Sequence, residues 1–286
     1  MLRICQDAKT LRFWKKLAFG CSGVIAALFS ALRMITFVPY FKPYEKSILS
    51  PCVFLLMLLA SVAVGIWMVW PREIKIKLKR PSTTISIVEG NIFDQKTNLV
   101  IGVTRAFDTM LPDVIDETSL LGQAIKRFYS DHGEKLQAIF SDGLKDRAKE
   151  KFHKEDGNNE KVEIGTVLAV KHESRMFFFT AYCDVDKTNK ASSNTDWIFI
   201  TLTSLWREVR SRGNARPVSI AVWGKELARM SHVLTESDAI KLIILSFVFA
   251  SRSEPVCSEL KIVLQKDAYE AIDRLEFQAF LNSVGN

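Results

Sequence analysis

Residues 217–264 read PVSIAVWGKELARMSHVLTESDAIKLIILSFVFASRSEPVCSELKIVL, and this stretch decides the fold class. Pro217–Trp223 has the short, β-branched and apolar character of a strand. Gly224–Arg229 interrupts it as a loop, and Thr235 stands where a helix cap is needed ahead of Glu236–Ala250, a strongly apolar helix. Leu260–Leu264 returns to the strand pattern. A strand–loop–helix–strand unit predicts a sheet covered by helices, here a three-layer α/β/α domain.

The flanking sequence extends that pattern. Upstream, Thr84–Glu89 reads as a strand ending at Gly90-Asn91, and Asn98–Thr104 as a strand buried on both faces. Ser119 is placed to cap a helix over Leu120–Tyr129. The charged stretch Lys145–Lys161 reads as a solvated helix end and a turn. Val162–His172 and Arg175–Cys183 predict a hairpin, followed by a polar loop over Asp184–Asn194. Asp196–Arg210 carries Ile198, Leu202, Leu205, Trp206 and Val209 at helical spacing and stops at Gly213-Asn214. Asp267–Leu281 predicts a closing amphipathic helix. No internal repeat is evident.

The N-terminal quarter has a different composition. The overall apolar content of 48% is ordinary, but almost no charge falls between Leu17 and Trp70. Two runs there, about 17–38 and 48–70, are each long enough for the roughly 20 residues that cross a hydrocarbon core. The linker between them is short and holds two prolines, which forces an antiparallel hairpin. A cleavable leader is disfavoured by the length of the first run and by the second span that follows at once. The expected organisation is an anchor over residues 1–80 and a cytosolic domain over 81–286.

Much of the formal charge of +7 sits beside those runs: Arg3, Lys9, Arg12, Lys15 and Lys16 before them, and Arg72, Lys75, Lys77, Lys79 and Arg80 after them. Lys42 and Lys46 alone occupy the linker. Such asymmetry puts both termini in the cytoplasm of a multi-pass membrane protein. It also accounts for the basic balance without nucleic acid, for which no basic-aromatic module is present. Arg33, near a helix end, is expected to snorkel towards headgroups. Small residues at Gly23, Ala27 and Ala31, and again at Ser61 and Gly65, permit close helix packing, either within the hairpin or between protomers.

The five cysteines show neither a disulfide pattern nor C-x-x-C spacing, so no metal site is expected and the soluble part should face a reducing compartment. There is no G-x-G-x-x-G, P-loop or G-x-S-x-G. The histidines are scattered. In an α/β sheet, ligands collect beyond the carboxyl ends of strands, and three segments qualify here: Gly90-Asn91-Ile92, the Thr104-Arg105-Ala106-Phe107-Asp108 loop, and Gly224-Lys225-Glu226-Leu227-Ala228-Arg229. The last could cradle phosphates through backbone amides, with Lys225 or Arg229 adding charge. Phe107 is either a base-stacking ring or a core aromatic.

These segments resemble a known family. Ile87-Val88-Glu89-Gly90-Asn91-Ile92 is similar to the strand and turn that open the ADP-ribose site of macro domains, usually with Asp where this chain has Asn91. Val100–Asp108 sits where the family's first ligand loop follows its buried strand, and Val218–Arg229 is similar to its phosphate loop. More narrowly, Ser119-Leu120-Leu121-Gly122 and Leu227-Ala228-Arg229 resemble the macro-like domains of bacterial Thoeris-type antiphage systems, in which a two-helix anchor precedes the domain. The resemblance implies a non-enzymatic effector, with no cofactor, that takes an ADP-ribose derivative as ligand, a histidine conjugate being one candidate. It implies a TIR-domain enzyme as the source of that signal, and a homo-oligomer that acts on membrane lipids. The alternative it carries is a membrane-tethered ADP-ribosyl hydrolase.

Overall fold

A computed structural model describes residues 4, 7–48, 50–70, 72–129, 133–223 and 234–285. The chain divides into two compact units, residues 1–73 with 270–279, and residues 74–269 with 280–286.

The first unit is built on two apolar helices, α1 (Leu11–Phe37) and α2 (Pro51–Val69). Both are long and apolar enough to cross a membrane; at 1.5 Å per residue they measure about 40 and about 28 Å. Thr10 and Ser50 cap their N-termini, each accepting a bond from a backbone N–H of the first turn. A 3-10 helix over Pro39–Tyr44 and a helical turn over Glu45–Ile48 join them. Arg33 reaches Glu45 of that connection at 3.9 Å and lies over the Phe29 ring.

The two small-residue stripes separate by role. Met57, Ser61, Gly65 and Val69 are the buried residues of α2, spaced four apart on one face. A Cβ on Gly20 would lie 3.5 Å from Gly65 Cα, so this stripe serves the hairpin. Gly23, Ala27 and Ala31 are exposed, and no described atom lies within 4 Å of a Cβ built on Gly23. The returning segment 270–279 closes the unit. Arg274 donates through Nε and Nη2 to Asp7 Oδ2 at 2.9 and 2.7 Å and to the Val69 carbonyl at 3.1 Å. Arg12 pairs with Asp273 and Glu276, and Phe13, Val69 and Leu275 bury one another.

The second unit is an eight-stranded sheet. Its strands are β1 (Ile74–Lys77), β2 (Thr84–Glu89), β3 (Asn98–Thr104), β6 (Val167–His172), β7 (Arg175–Val185), β8 (Ala191–Ser192), β9 (Val218–Ala221) and β10 (Glu259–Leu264). The order is β1-β2-β10-β9-β3-β7-β6, with β8 on β7. The five central strands run parallel, and β1 and β6 close the edges antiparallel. Burial on both faces explains why β3 and β7 read as continuous apolar runs.

Helices α3 (Leu120–Phe128) and α4 (Gly133–Gly143) cover one face. Leu121, Ala124, Ile125, Leu136 and Phe140 pack there against Leu99, Ile101, Val103, Phe177 and Phe179. The other face carries α5 (Thr195–Arg212) and α6 (Glu236–Ser253), joined by the Trp206–Phe247 ring contact and by Trp206 Nε1 donating to Ser246. Ser119 and Thr235 cap as the sequence predicts, Thr235 in a reciprocal box with Asp238.

Three segments depart from the sequence reading. Lys145–Lys161 is not a solvated helix end: β4 (Lys149–Lys151) and β5 (Glu160–Val162) pair antiparallel, and Lys154 and Lys161 are buried. Their charges find tertiary partners, which local sequence does not encode. The closing helix is two, α7 (Lys266–Ala271) and α8 (Arg274–Gly285), because Asp273 Oδ1 accepts from the backbone of Leu275 and Glu276 and starts a second helix. The basic flank after α2 contains β1, whose alternating Ile and Lys residues put Ile74 in the core.

Candidate functional site

The connections fix where the sheet changes direction. After β3 the chain passes through α3 and α4 on its way to β7; after β9 it turns the other way, through α6, to β10. Adjacent strands β3 and β9 therefore send their helices to opposite faces, a switch point of the kind beyond whose carboxyl ends α/β sheets take ligands.

Near the carboxyl end of β3 stands Gly102. Tyr182 on β7 and Trp223, just beyond β9, stack across this position, rings 4.6 Å apart and inclined by 18°. A Cβ on Gly102 would meet Tyr182 Cδ1 at 2.8 Å and Trp223 Cδ1 at 3.1 Å, so only glycine admits the stack. The register shifts by one residue between Val103 and Thr104, leaving Tyr182 as the extra residue of a bulge, a device that re-aims a side chain. Trp223 is 4% exposed, yet its Nε1 finds no hydrogen-bond partner among the described residues; neither do the buried hydroxyls of Thr104 and Thr180. Thr180 lies opposite Gly102. Unpaired buried polar atoms cost roughly 1–3 kcal/mol each.

The loop after β3 is held from below. Lys154 Nζ lies 2.7 Å from Asp108 Oδ2 and 2.8 Å from Asn189 Oδ1. Asp108 Oδ1 also accepts from the Asn158 backbone N–H at 2.6 Å, and the Asn158 amide donates to the carbonyls of Ala106 and Phe107. Phe107 has a φ of +50°, a strained conformation for a bulky residue, and its ring is buried edge-on against Phe140 at 5.0 Å. Its side chain belongs to the core, and its backbone N–H donates to the Thr104 carbonyl at 3.1 Å. Arg105 donates to the Val162 carbonyl, Glu150 and Asp184. Burial works to raise the Asp184 carboxyl, but the Lys161 hydrogen bond and its charge, the Val185 N–H and Arg105 outweigh it and hold Asp184 below the usual carboxylate range. A cavity of about 250 Å³ lies under this loop, between Phe140 and Ser141 of α4 and Asn158–Glu160.

At the far side, Gly90 has a φ of +152° and donates to the Leu264 carbonyl. Asn91 caps a 3-10 turn over Ile92–Asp94, its Oδ1 accepting from Phe93 N–H at 2.9 Å; Ile92 is buried. Gly224, Lys225, Glu226, Leu227, Ala228 and Arg229 lie outside the described residues. Two features escape sequence reasoning. The Tyr182–Trp223 stack requires knowing that β7, β3 and β9 are neighbours. The Asp108–Lys154 pair joins residues 46 apart, and Lys154 stands in a stretch that reads as solvated.

A mixed sheet with a parallel centre, flanked by helices and with a switch point between β3 and β9, defines a macro-like ligand-binding domain. Residues 85–265 match the family model described as Thoeris protein ThsA, Macro domain, and the chain belongs to that family. Among solved structures it is similar to the Oceanobacillus iheyensis macrodomain with ADP, at 12% identity and a TM-score of 0.49 over 74% of this chain and 99% of that one. The same macrodomain with MES bound gives 12% and 0.49 over the same shares. Among curated proteins nothing matches.

Proposed function

We propose that this protein is an antiphage effector whose macro-like domain reads an ADP-ribose-derived signal beyond the carboxyl ends of β3 and β9, with histidine-ADP-ribose among the candidates. The observation that supports this reading is a buried indole N–H of Trp223 and a Thr104 hydroxyl without described partners near the carboxyl ends of β9 and β3, beside a loop whose backbone is pinned in place. A TIR-domain enzyme supplies the signal. Occupancy assembles protomers, with the outward stripe Gly23, Ala27 and Ala31 of α1 as their meeting face, and the assembled helices breach the bacterial inner membrane. Both termini lie in the cytoplasm in this arrangement. The ligand must bind the assembled state better than the resting one for such gating to operate.

A reader is favoured over a hydrolase because, among the described residues, two carboxylates beside the loop after β3 are engaged: Asp108 with Lys154, and Asp184 with Lys161 and Arg105. The test is calorimetric titration of the full chain, in detergent, with ADP-ribose and with histidine-ADP-ribose, while product is monitored by chromatography. Saturable binding without turnover is expected. Turnover would make the protein a hydrolase, and absence of binding to either would remove the ligand assignment.

A further inference from the structure

Beyond the end of β1, three basic side chains from distant parts of the chain meet. Lys79 and Arg80 lie in the turn between β1 and β2, and Arg252 lies at the end of α6. With Leu78, Val284 and Gly285 they line a surface depression of about 360 Å³. All three cations are exposed, and among the described residues no carboxylate pairs with Lys77, Lys79, Arg80 or Arg252. Arg252 Nη2 donates to the Val284 carbonyl at 2.9 Å, one of five N–H donors on a guanidinium, so most of its fork stays available. The exposed lysines Lys75 and Lys77 of β1 continue the surface.

Two bland explanations cover only part of this. Lysines on an edge strand guard it against pairing with another chain, which accounts for Lys75 and Lys77 but not for residues past the strand. The orientation of membrane spans counts charge close to a span in sequence, which accounts for Lys79 and Arg80. Arg252 is 172 positions further on, and only the fold brings it here.

We propose that this depression is a docking site for the phosphate of anionic phospholipids. The inference rests on α2 being membrane-embedded. Lys79 lies ten positions beyond Val69, so the chain keeps the site within about 35 Å of that helix end. An anionic leaflet attracts basic residues within about a Debye length, each by a factor of roughly five. The guanidinium fork of Arg252 suits bidentate phosphate contact, and Lys79 acts as a point charge. The site holds the ligand-reading unit down on the leaflet that surrounds its own anchor.

The test uses the full chain in nanodiscs of phosphatidylcholine alone, or with phosphatidylglycerol added, followed by hydrogen exchange. Amides of residues 78–82 and 250–254 should exchange at least about fivefold more slowly in the anionic discs, and the difference should vanish in high salt. Lys79→Gln with Arg80→Gln should abolish it, Arg252→Gln should reduce it strongly, and Arg252→Lys, which keeps the charge but not the fork, should retain only part of it. Lys145→Gln, remote and exposed, should leave it intact. Equal exchange in the two disc types would overturn the docking site alone. A chain extracted from both discs by alkaline carbonate would remove the embedded anchor, and the docking site with it.

Discussion

The Lys154 ammonium lies 2.7 Å from the Asp108 carboxylate, and both side chains are sealed from solvent, at 0% and 1% exposure. A buried pair gains little over an apolar replacement, but breaking it strands a charge at a cost of about 3–5 kcal/mol. Asp108→Asn and Lys154→Met should each destabilise the domain by an amount of that order in chemical denaturation. The double variant should recover much of the loss. Single variants within about 1 kcal/mol of the native chain would contradict a sealed pair.

Gly102 sets the aromatic stack. Gly102→Ala should separate the Tyr182 and Trp223 rings, alter the near-ultraviolet circular dichroism and cost about 1–3 kcal/mol of overpacking. Trp223→Phe keeps an aromatic face but removes the indole N–H and part of the ring system. It should lower affinity for an ADP-ribose-type ligand by about tenfold, the worth of one hydrogen bond, with a modest stability loss from the void it leaves. Unchanged affinity would remove Trp223 from the ligand's contacts.

Tyr129 is 7% exposed and its hydroxyl finds no partner among the described residues. Burial pushes its pKa up to about 12, above the ordinary value of 10.0. The stability linked to the neutral phenol is therefore complete below pH 10 and lost as pH climbs towards 12. Tyr129→Phe should be neutral or stabilising by up to about 1 kcal/mol at neutral pH, and should flatten the alkaline limb of the stability curve.

Asp184 carries the opposite sign. Its folded pKa lies below the ordinary 3.8, so its contribution is present above that value and lost as pH falls through the lower folded one. Asp184→Asn should reduce stability at pH 7 and make acid unfolding below about pH 4 less steep. Parallel acid limbs for the two proteins would show that Lys161 and Arg105 do not hold this carboxylate.

The elements that build the fold were legible where one physical pattern dominated. The buried strand Asn98–Thr104, the second apolar run and the capped helices after Ser119 and Thr235 appear within a few residues of their expected bounds, while the first apolar helix begins at Leu11, six residues ahead of its apolar run. Illegible parts share a cause: their residues are stabilised from far away in sequence. Lys154 and Lys161 look like surface charges until Asp108 and Asp184 arrive from other strands, and β1 looks like a basic flank until β2 pairs with it. In the candidate site, the strand ends that precede Thr104–Asp108 and Gly90–Ile92 were visible in sequence. Gly102, Tyr182 and Trp223 were not, because a stack across three strands depends on strand order.

Arg274 clamps Asp7 and the end of α2, and this fixes a sequence of events during synthesis. The hairpin leaves the ribosome first, while its partner residue is still about 200 codons away. At about 5–20 residues per second that interval is roughly 10–40 s. For that time the anchor exists with an unpaired carboxylate at its entrance, and it is completed only once translation has passed residue 274. A chain whose synthesis stops before residue 274 thus carries a hairpin whose Asp7 lacks the Arg274 partner of the finished protein.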